Sequence, residues 1–218
     1  MNVGLEALIV IVLILVIIYL VYLHNYNANL LKVKSTIDNT EYYVQDKEDA
    51  QDAANLIAKI KDKLKSLIEH LSKQYPSDER TIRIKQNYRE NSLKEGVDDP
   101  NYTSYSVNKG EQIILCLRNK DKLMDLNTMM FVVLHEIGHL ASESIGHTDE
   151  FWSNFKWILE ESINIGIYVR QDFDSKPVEY CGMSITSSPL DNESLSSFPL
   201  ETDKKIVEGF KLNRNYRF

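Results

Sequence analysis

The feature that most constrains the fold is an apolar helix near the middle of the chain that also carries ionisable side chains. Apolar residues occur on nearly all sides of the helix predicted over residues 125–143, which indicates that this helix is central and buried. His135, Glu136 and His139 lie on the same helix. Because an unpaired polar group in a protein interior is costly, these three side chains need a partner. A bound metal ion is the simplest partner that serves all of them.

The spacing of the two histidines fits one metal ion. Positions i and i+4 of a helix lie one above the other, so His135 and His139 can place ring nitrogens on the same zinc ion. Glu136 lies beside them, where a carboxylate can take a proton from zinc-bound water. A catalytic zinc site also needs a third protein ligand and an open position for water.

Several residues compete for the place of the third ligand. His147 is the leading candidate, because it follows His139 by eight residues and the whole chain has only five histidines. Glu160 and Glu161, on the next predicted helix, are the alternative at about the spacing that gluzincin peptidases use, although a solvated helix face explains them as well. Asp149 is a weaker third candidate. The sequence therefore predicts a site with three histidine ligands.

Helices and short strands alternate around this motif. Apolar residues three or four apart predict one helix over residues 49–75 and another over residues 149–168. Two strands are predicted at residues 102–107 and 112–118, and the Asn-Lys-Gly sequence at residues 108–110 is typical of a hairpin turn between them. With 218 residues, the chain is long enough for one compact domain with appendages.

The N-terminus carries a second distinctive feature, an uninterrupted apolar run from Ala7 to Leu23. Its length approaches the roughly 20 residues that cross the hydrocarbon core of a bilayer. A cleaved signal peptide is the alternative, but the basic segment that should precede the run is missing, and so is a small-residue cleavage site after it. We therefore predict a single transmembrane anchor over residues 1–23.

The charges next to this anchor predict its orientation. Lys32 and Lys34 follow the apolar run, and the positive-inside rule then places the C-terminal domain in the cytosol. Glycosylation sequons at Asn101 and Asn192 favour the opposite orientation, because they would be used only on the lumenal side. Since three-residue sequons arise often by chance, the lysines decide the prediction.

The remainder of the chain divides by composition. Residues 24–48 are polar and predict a juxtamembrane linker, residues 49–183 predict the folded domain, and the Ser/Pro-rich start of residues 184–218 predicts a loosely attached tail. Cys116 and Cys181 are too few for a disulfide framework. Two reduced, buried thiols are predicted, with one bridge between them as the alternative.

The pattern His-Glu-x-x-His followed by Gly-His-x-x-x-Phe-Trp, over residues 135–152, resembles the WLM domain of the Wss1-like metalloproteases, which are related to the SprT-like family. The loop before the third histidine is longer here than in the usual WLM pattern. The resemblance implies an α+β, zincin-like metallopeptidase domain with helices and a short β-sheet, here behind the predicted transmembrane helix. It also implies His135, His139 and His147 as Zn²⁺ ligands and Glu136 as the base.

Together, these observations predict a membrane-anchored zinc metalloendopeptidase that hydrolyses peptide bonds in a protein or peptide substrate. The strand Gln112 to Leu117 is predicted to receive the substrate as an added strand at the sheet edge. The alternative is a non-catalytic membrane-anchored module with a structural or inactive metal site, for which Glu136 would not be required. The net charge of −7 argues against a generic nucleic-acid surface, so no direct nucleic-acid binding is expected.

Aromatic and sulfur-containing residues near the motif are predicted to pack rather than react. Phe151 and Trp152 are expected to anchor the second helix in the core and to hold His147 in place. Tyr180 and Met183 are also predicted to be core residues, although a tyrosine can stabilise the oxyanion of a tetrahedral intermediate. His70, on the predicted helix over residues 49–75, is predicted to be a surface residue.

Overall fold

The computed structural model describes the backbone of residues 3–28, 30–97 and 103–191, and the side chains of residues 7–21, 30–97 and 103–191. Its helices are α1 (Val3–Ala28), α2 (Ala50–Gln74), α3 (Glu79–Asn87), α4 (Leu126–Ala141) and α5 (Asp149–Asn164). Its strands are β1 (Leu30–Lys34), β2 (Glu41–Gln45), β3 (Leu93–Glu95), β4 (Tyr105–Val107), β5 (Gln112–Leu115), β6 (Arg118–Asn119), β7 (Lys122–Leu123), β8 (Val178–Tyr180) and β9 (Met183–Ile185). The predicted α+β class is confirmed.

Helix α4 lies at the centre of the fold, as its apolar composition predicts. Every residue from Thr128 to Ala141 is buried, and the helix packs against α2, α3 and α5. Helix α2 contributes one apolar face to the same core, formed by residues at the predicted three- and four-residue spacing: Ile57, Ile60, Leu64, Leu67 and Leu71. The histidine motif therefore occupies the best-protected helix of the domain.

Local hydrogen bonds fix the N-terminal end of α4. The carboxylate of Asp125 accepts from the backbone N–H of Thr128 at 2.9 Å and from its hydroxyl at 2.7 Å, so this residue is the N-cap. A cap of this kind satisfies N–H groups that have no partner within the helix.

At its other end, α4 stops at Ala141 rather than at the predicted residue 143. The guanidinium of Arg83 donates to the Ala141 carbonyl at 2.7 Å, and the Lys109 ammonium donates to the carbonyls of Ser142 and Glu143. Cationic groups at this end stabilise the helix because they oppose its dipole.

Three strands form a small mixed sheet in the order β3-β5-β4. The predicted hairpin is present: β4 and β5 are antiparallel, and Asn108, Lys109 and Gly110 in the turn all have positive φ angles. Strand β3 was not predicted, because a three-residue strand in a loop has too few residues to show a pattern. It pairs in parallel with β5.

The position of β5 overturns one prediction about the substrate. Residues 112–117 were expected to bind an extended substrate at the sheet edge. Strand β5 is instead the central strand, with β3 on one side and β4 on the other. Its backbone hydrogen-bonding groups are engaged by these two neighbours, so it cannot also accept an added strand.

Residues 24–48 are not only a linker. Strands β1 and β2 form an antiparallel hairpin in this range, and Tyr42 and Val44 on β2 are buried in the core. The amide of Asn55 on α2 accepts from the Ser35 hydroxyl at 2.9 Å, which ties the hairpin to the helix. The segment is polar in sequence because β2 buries only two apolar side chains, those of Tyr42 and Val44. The folded unit therefore begins before the predicted boundary at residue 49.

The two cysteines are joined. Cys116 and Cys181 form a disulfide, and the prediction of two reduced thiols is therefore wrong. The bridge connects the chain after β5 to the turn between β8 and β9. The two residues are 65 positions apart in sequence, and only the tertiary fold brings them together.

Helix α1 contains the apolar run that predicts a membrane anchor. Each side chain from Leu8 to Val21 is between 47% and 60% exposed. Among the residues described with their side chains, no helix is long and apolar enough to cross a membrane, and the predicted transmembrane anchor is not confirmed.

The end of the predicted domain differs slightly from its expected boundary. Strand β9 runs from Met183 to Ile185, so it extends past residue 183. Residues 192–218 of the predicted tail lie outside the described residues, as do the sequons at Asn101 and Asn192.

Candidate metal centre

Three histidine rings converge at one point in the domain. His135 and His139 lie on adjacent turns of α4, and His147 lies in the loop that leads to α5. The Nε2 atom of His135 is 3.3 Å from Nε2 of His139 and 3.0 Å from Nε2 of His147. Two nitrogens bound at 2.0–2.1 Å to a tetrahedral ion are about 3.4 Å apart, so the spacing is close to that of a zinc site.

The protonation states of the rings suit metal binding. Burial, together with the neighbouring imidazoles, holds the pKa values of His135 and His139 well below their usual range. The positive charge of Lys109 also lowers the pKa of His139. Burial lowers the pKa of His147 to about 4. All three rings are therefore neutral at pH 7, which is the form that binds a metal. Among the described residues, these three form the one group of His, Cys, Asp and Glu side chains placed to hold an ion.

Aromatic rings from α5 hold two of the histidines in place. The ring of His139 stacks on Phe151 with a centroid distance of 4.2 Å, and the ring of His147 stacks on Trp152 at 5.4 Å. The two aromatic residues are buried. The expectation that Phe151 and Trp152 are core residues that position His147 is therefore confirmed.

Gly138 allows the two helices to approach this closely. A Cβ atom at residue 138 would lie 3.1 Å from Cε2 of Phe151 and 3.3 Å from Cβ of Phe155. These separations are tighter than ordinary van der Waals contact, so a larger residue would push α5 away from α4. The glycine between the two histidines is part of the site for this reason.

The loop that carries His147 is fixed by Glu150 on the first turn of α5. Its Oε1 accepts from the backbone N–H of Glu143 at 2.8 Å, and its Oε2 accepts from the N–H of Ser144 at 3.0 Å. Hydrogen bonds from Ser144 and Glu143 lower the pKa of Glu150 to about 2. This role could not be predicted from sequence, since an acidic residue in a first helical turn is ordinarily explained by the helix dipole.

Glu136 lies beside the histidines in a dry environment. The hydroxyl and the backbone N–H of Ser106 on β4 donate to its carboxylate, while burial raises its pKa to about 8. Its Oε2 atom is buried and has no hydrogen-bond partner among the described residues. A buried carboxylate oxygen of this kind requires a partner, and a water molecule on a neighbouring metal ion is a suitable one. The role of Ser106 was also missed, because a serine in a short strand gives no signal in sequence.

The alternative candidates for the third ligand, Glu160, Glu161 and Asp149, do not belong to the histidine cluster. Glu161 accepts from the hydroxyl of Tyr75 at 2.7 Å and pairs with Nε2 of His70 at the same distance, so it fastens α5 to α2. Glu160 and Asp149 are exposed to solvent and belong to no candidate metal group. His70 is half-buried in its pair with Glu161 rather than a simple surface residue.

Tyr180 lies close to the candidate metal centre, but its hydroxyl is already engaged in a hydrogen bond. Its hydroxyl is 2.5 Å from the Ser104 hydroxyl, and burial raises its pKa, so it remains a neutral phenol. Both residues, together with His135 and Glu136, line a pocket that opens beside the histidine cluster. Met183 lines the same pocket.

Comparison with known proteins identifies a family that the chain matches. The family model of the WLM domain matches residues 38–211. The mimivirus protein R325, from Acanthamoeba polyphaga mimivirus, is 34% identical over 164 residues, which cover 72% of this chain and 83% of that protein. Protein 136R of Invertebrate iridescent virus 6 is 38% identical over 69 residues, covering 30% of this chain and 38% of the viral protein.

A solved structure is also similar. The crystal structure of Wss1 from Saccharomyces cerevisiae is 23% identical and superposes with a TM-score of 0.43. The match covers 56% of this chain and 85% of that one.

Proposed function

Because the chain belongs to the WLM-domain family and places a buried glutamate beside three converging histidines, we propose that it is a zinc-dependent metalloendopeptidase. The observation that carries the proposal is the cluster itself: three neutral Nε2 atoms at metal-ligand spacing, with an unpartnered oxygen of Glu136 next to them. A structural zinc site is usually closed by four protein ligands, whereas three ligands leave a position for water. The substrate class is a protein or peptide.

His135, His139 and His147 would hold the ion. Zinc held there would supply a Lewis acid, and the pKa of a water bound to it would fall to about 7. Burial raises the pKa of Glu136, and the positive charge of an ion held by the histidines would favour its ionised form. The carboxylate would then accept the proton of the attacking water and later donate it to the amine that leaves. Ser106 orients this carboxylate through two hydrogen bonds, and Phe151 and Trp152 keep the rings of His139 and His147 in position.

Metal content separates the ligands from their rivals. We expect one zinc ion per chain in the purified protein and in the Glu161→Ala variant, and its loss in His147→Ala, as measured by elemental mass spectrometry. Glu161→Ala is a suitable control because this residue pairs with His70 and Tyr75, away from the cluster. Zinc retained in His147→Ala but lost in Glu161→Ala would contradict the proposed ligand set.

Replacing the base distinguishes an enzyme from a non-catalytic module. The Glu136→Gln variant should keep its zinc and lose at least about 99% of its peptidase activity on an unfolded protein substrate, since general acid–base catalysis contributes roughly 10²- to 10⁴-fold. An anchored module with a structural metal would show no turnover in either protein. Equal turnover of the parent and the variant would remove Glu136 from the mechanism.

We also propose, from the sequence of residues 7–23, that the protein is held at a membrane. The exposed apolar side chains of Leu8 to Val21 support this, because a continuous apolar surface is unfavourable in water. The full chain expressed in cells should stay in the membrane fraction during alkaline carbonate extraction, and a variant lacking residues 1–23 should be released. Release of both proteins would contradict the proposal.

A further inference from the structure

An apolar pocket opens directly beside Glu136 and His135. Helices α4 and α5 form one wall of it, and the β8–β9 hairpin with the residues that follow forms the other. These walls carry the apolar side chains of Phe131, Val132, Trp152, Phe155, Met183 and Ile185. Of the described residues that line it, Glu136 is the one acidic side chain, and no lysine or arginine is present.

The wall formed by the hairpin is fastened to the rest of the site. The disulfide joins Cys181, in the hairpin turn, to Cys116. Ser104 accepts a hydrogen bond from the backbone N–H of Cys116 at 3.0 Å and pairs with the hydroxyl of Tyr180 on β8. Because Tyr180 and Ser104 line the pocket as well, the covalent and hydrogen-bonded attachments fasten its far wall to the chain beside β4 and β5.

We propose that this pocket binds one large apolar side chain of the substrate, next to the peptide bond that is cleaved, and that Met183 and Ile185 set this preference. The inference rests on the proposed peptidase function. The pocket adjoins the proposed base, so an extended substrate whose carbonyl reaches Glu136 brings a neighbouring side chain to the pocket mouth. Leu, Ile, Met or Phe would gain contact with the apolar walls.

The same lining disfavours charged side chains. A carboxylate in the pocket would lose its hydration, would find no cationic partner among the lining residues and would face Glu136. A small residue such as Ser or Ala would leave the walls without contacts. Since each additional methylene in an apolar pocket changes kcat/KM by about 10- to 200-fold, a Leu or Phe substrate should exceed its Ser counterpart by at least about 10-fold.

Peptide cleavage tests the preference directly. A set of otherwise identical peptides, varied at one residue beside the scissile bond, should show the order Phe and Leu above Ser above Asp with the zinc-loaded parent. The Met183→Lys variant should raise kcat/KM for the Asp peptide relative to the Leu peptide by about 10-fold. The control is Val169→Lys, which adds the same charge at a residue that is 68% exposed and does not line the pocket. An Asp-to-Leu ratio of kcat/KM that is unchanged in Met183→Lys, or changed equally in Val169→Lys, would overturn the proposal.

Binding without catalysis separates this inference from the proposed function. In the Glu136→Gln protein, N-acetyl-leucinamide should shift the methyl NMR signals of Met183 and Ile185, and N-acetyl-serinamide at the same concentration should not. If the zinc-loaded parent cleaves none of the peptides, these shifts would still support the pocket while the peptidase proposal fails. Cleavage without any side-chain preference, or the absence of methyl shifts, would overturn the pocket assignment and leave the peptidase proposal intact.

Discussion

At the scale of single residues, the candidate metal centre is a set of neutral imidazole rings that are largely buried from solvent. Their low pKa values follow from burial, which disfavours the charged ring, and their orientation follows from stacking on Phe151 and Trp152. The convergence of His135, His139 and His147 was predictable from sequence because one helix and one short loop fix their spacing. The residues that support them, such as Ser106, come from other elements and leave no local pattern.

Ser106 should matter for turnover and not for metal binding. The Ser106→Ala variant loses the hydroxyl that donates to Glu136 but keeps the backbone N–H donor. Since a hydrogen bond to a charged group contributes about 1.5–3 kcal/mol, we expect kcat to fall about 10- to 100-fold with KM and zinc content little changed. Ser153→Ala, at an exposed residue of α5, is the matched control. Loss of zinc in Ser106→Ala would show a structural role instead.

Glu150 should stabilise the loop that carries His147. Replacing it with Gln removes the charge that accepts from the N–H groups of Glu143 and Ser144, and we expect the zinc dissociation constant to rise about 10-fold. Because the pKa of Glu150 is lowered to about 2, its contribution is present above about pH 4.5 and is lost as the pH falls towards 2. The difference in Tm between the parent and Glu150→Gln should close over this range. Glu160→Gln, at an exposed residue, should show no such difference.

At the scale of secondary-structure elements, the periodicity of apolar residues predicted the long helices and missed the shorter elements. Helices α2, α4 and α5 were foreseen because each repeats its apolar spacing over several turns, and the β4–β5 hairpin was foreseen from its turn residues. The sequence of the β1–β2 hairpin predicts a linker, since Tyr42 and Val44 are the only buried apolar residues of β2. Helix α5 ends at Asn164 rather than at the predicted residue 168. The chain turns just after the helix, at Gly166, which has a positive φ angle.

The close contact of α4 and α5 predicts the effect of a single methyl group. In Gly138→Ala, the new Cβ would crowd Phe151, whose ring stacks on His139. Overpacking of this kind costs about 1–3 kcal/mol, so we expect a lower free energy of unfolding together with weaker zinc binding. Denaturant unfolding and chelator competition measure the two effects. A variant that is as stable as the parent and binds zinc equally well would show that α5 adjusts without disturbing the site.

At the scale of the whole molecule, the disulfide connects the sheet to the pocket wall across 65 residues. Sequence alone does not show whether two cysteines so far apart in the chain lie close enough to form a bond. In the chain-entropy account, a loop of this length stabilises the fold by about 4 kcal/mol. We expect a reductant to lower the denaturant midpoint of the parent, and the Cys116→Ser/Cys181→Ser double variant to start at the lower midpoint and not respond. A parent midpoint that is insensitive to reductant would contradict this role.

The same bridge bears on the orientation of the domain at the proposed membrane attachment. Lys32 and Lys34 predict a cytosolic domain, whereas disulfides persist mainly in oxidising compartments and are rare in the cytosol. We expect the bridge to be intact in cells, so that Cys116 and Cys181 react with a maleimide reagent only after reduction, as measured by a gel-mobility shift in acid-quenched lysates. Glycosylation at Asn101 or Asn192, detected by glycosidase digestion, would then place the domain in the lumen. Thiols that react without reduction would instead support the cytosolic placement, and in that case the pocket wall would be held by the Ser104–Tyr180 hydrogen bond and not by a covalent link.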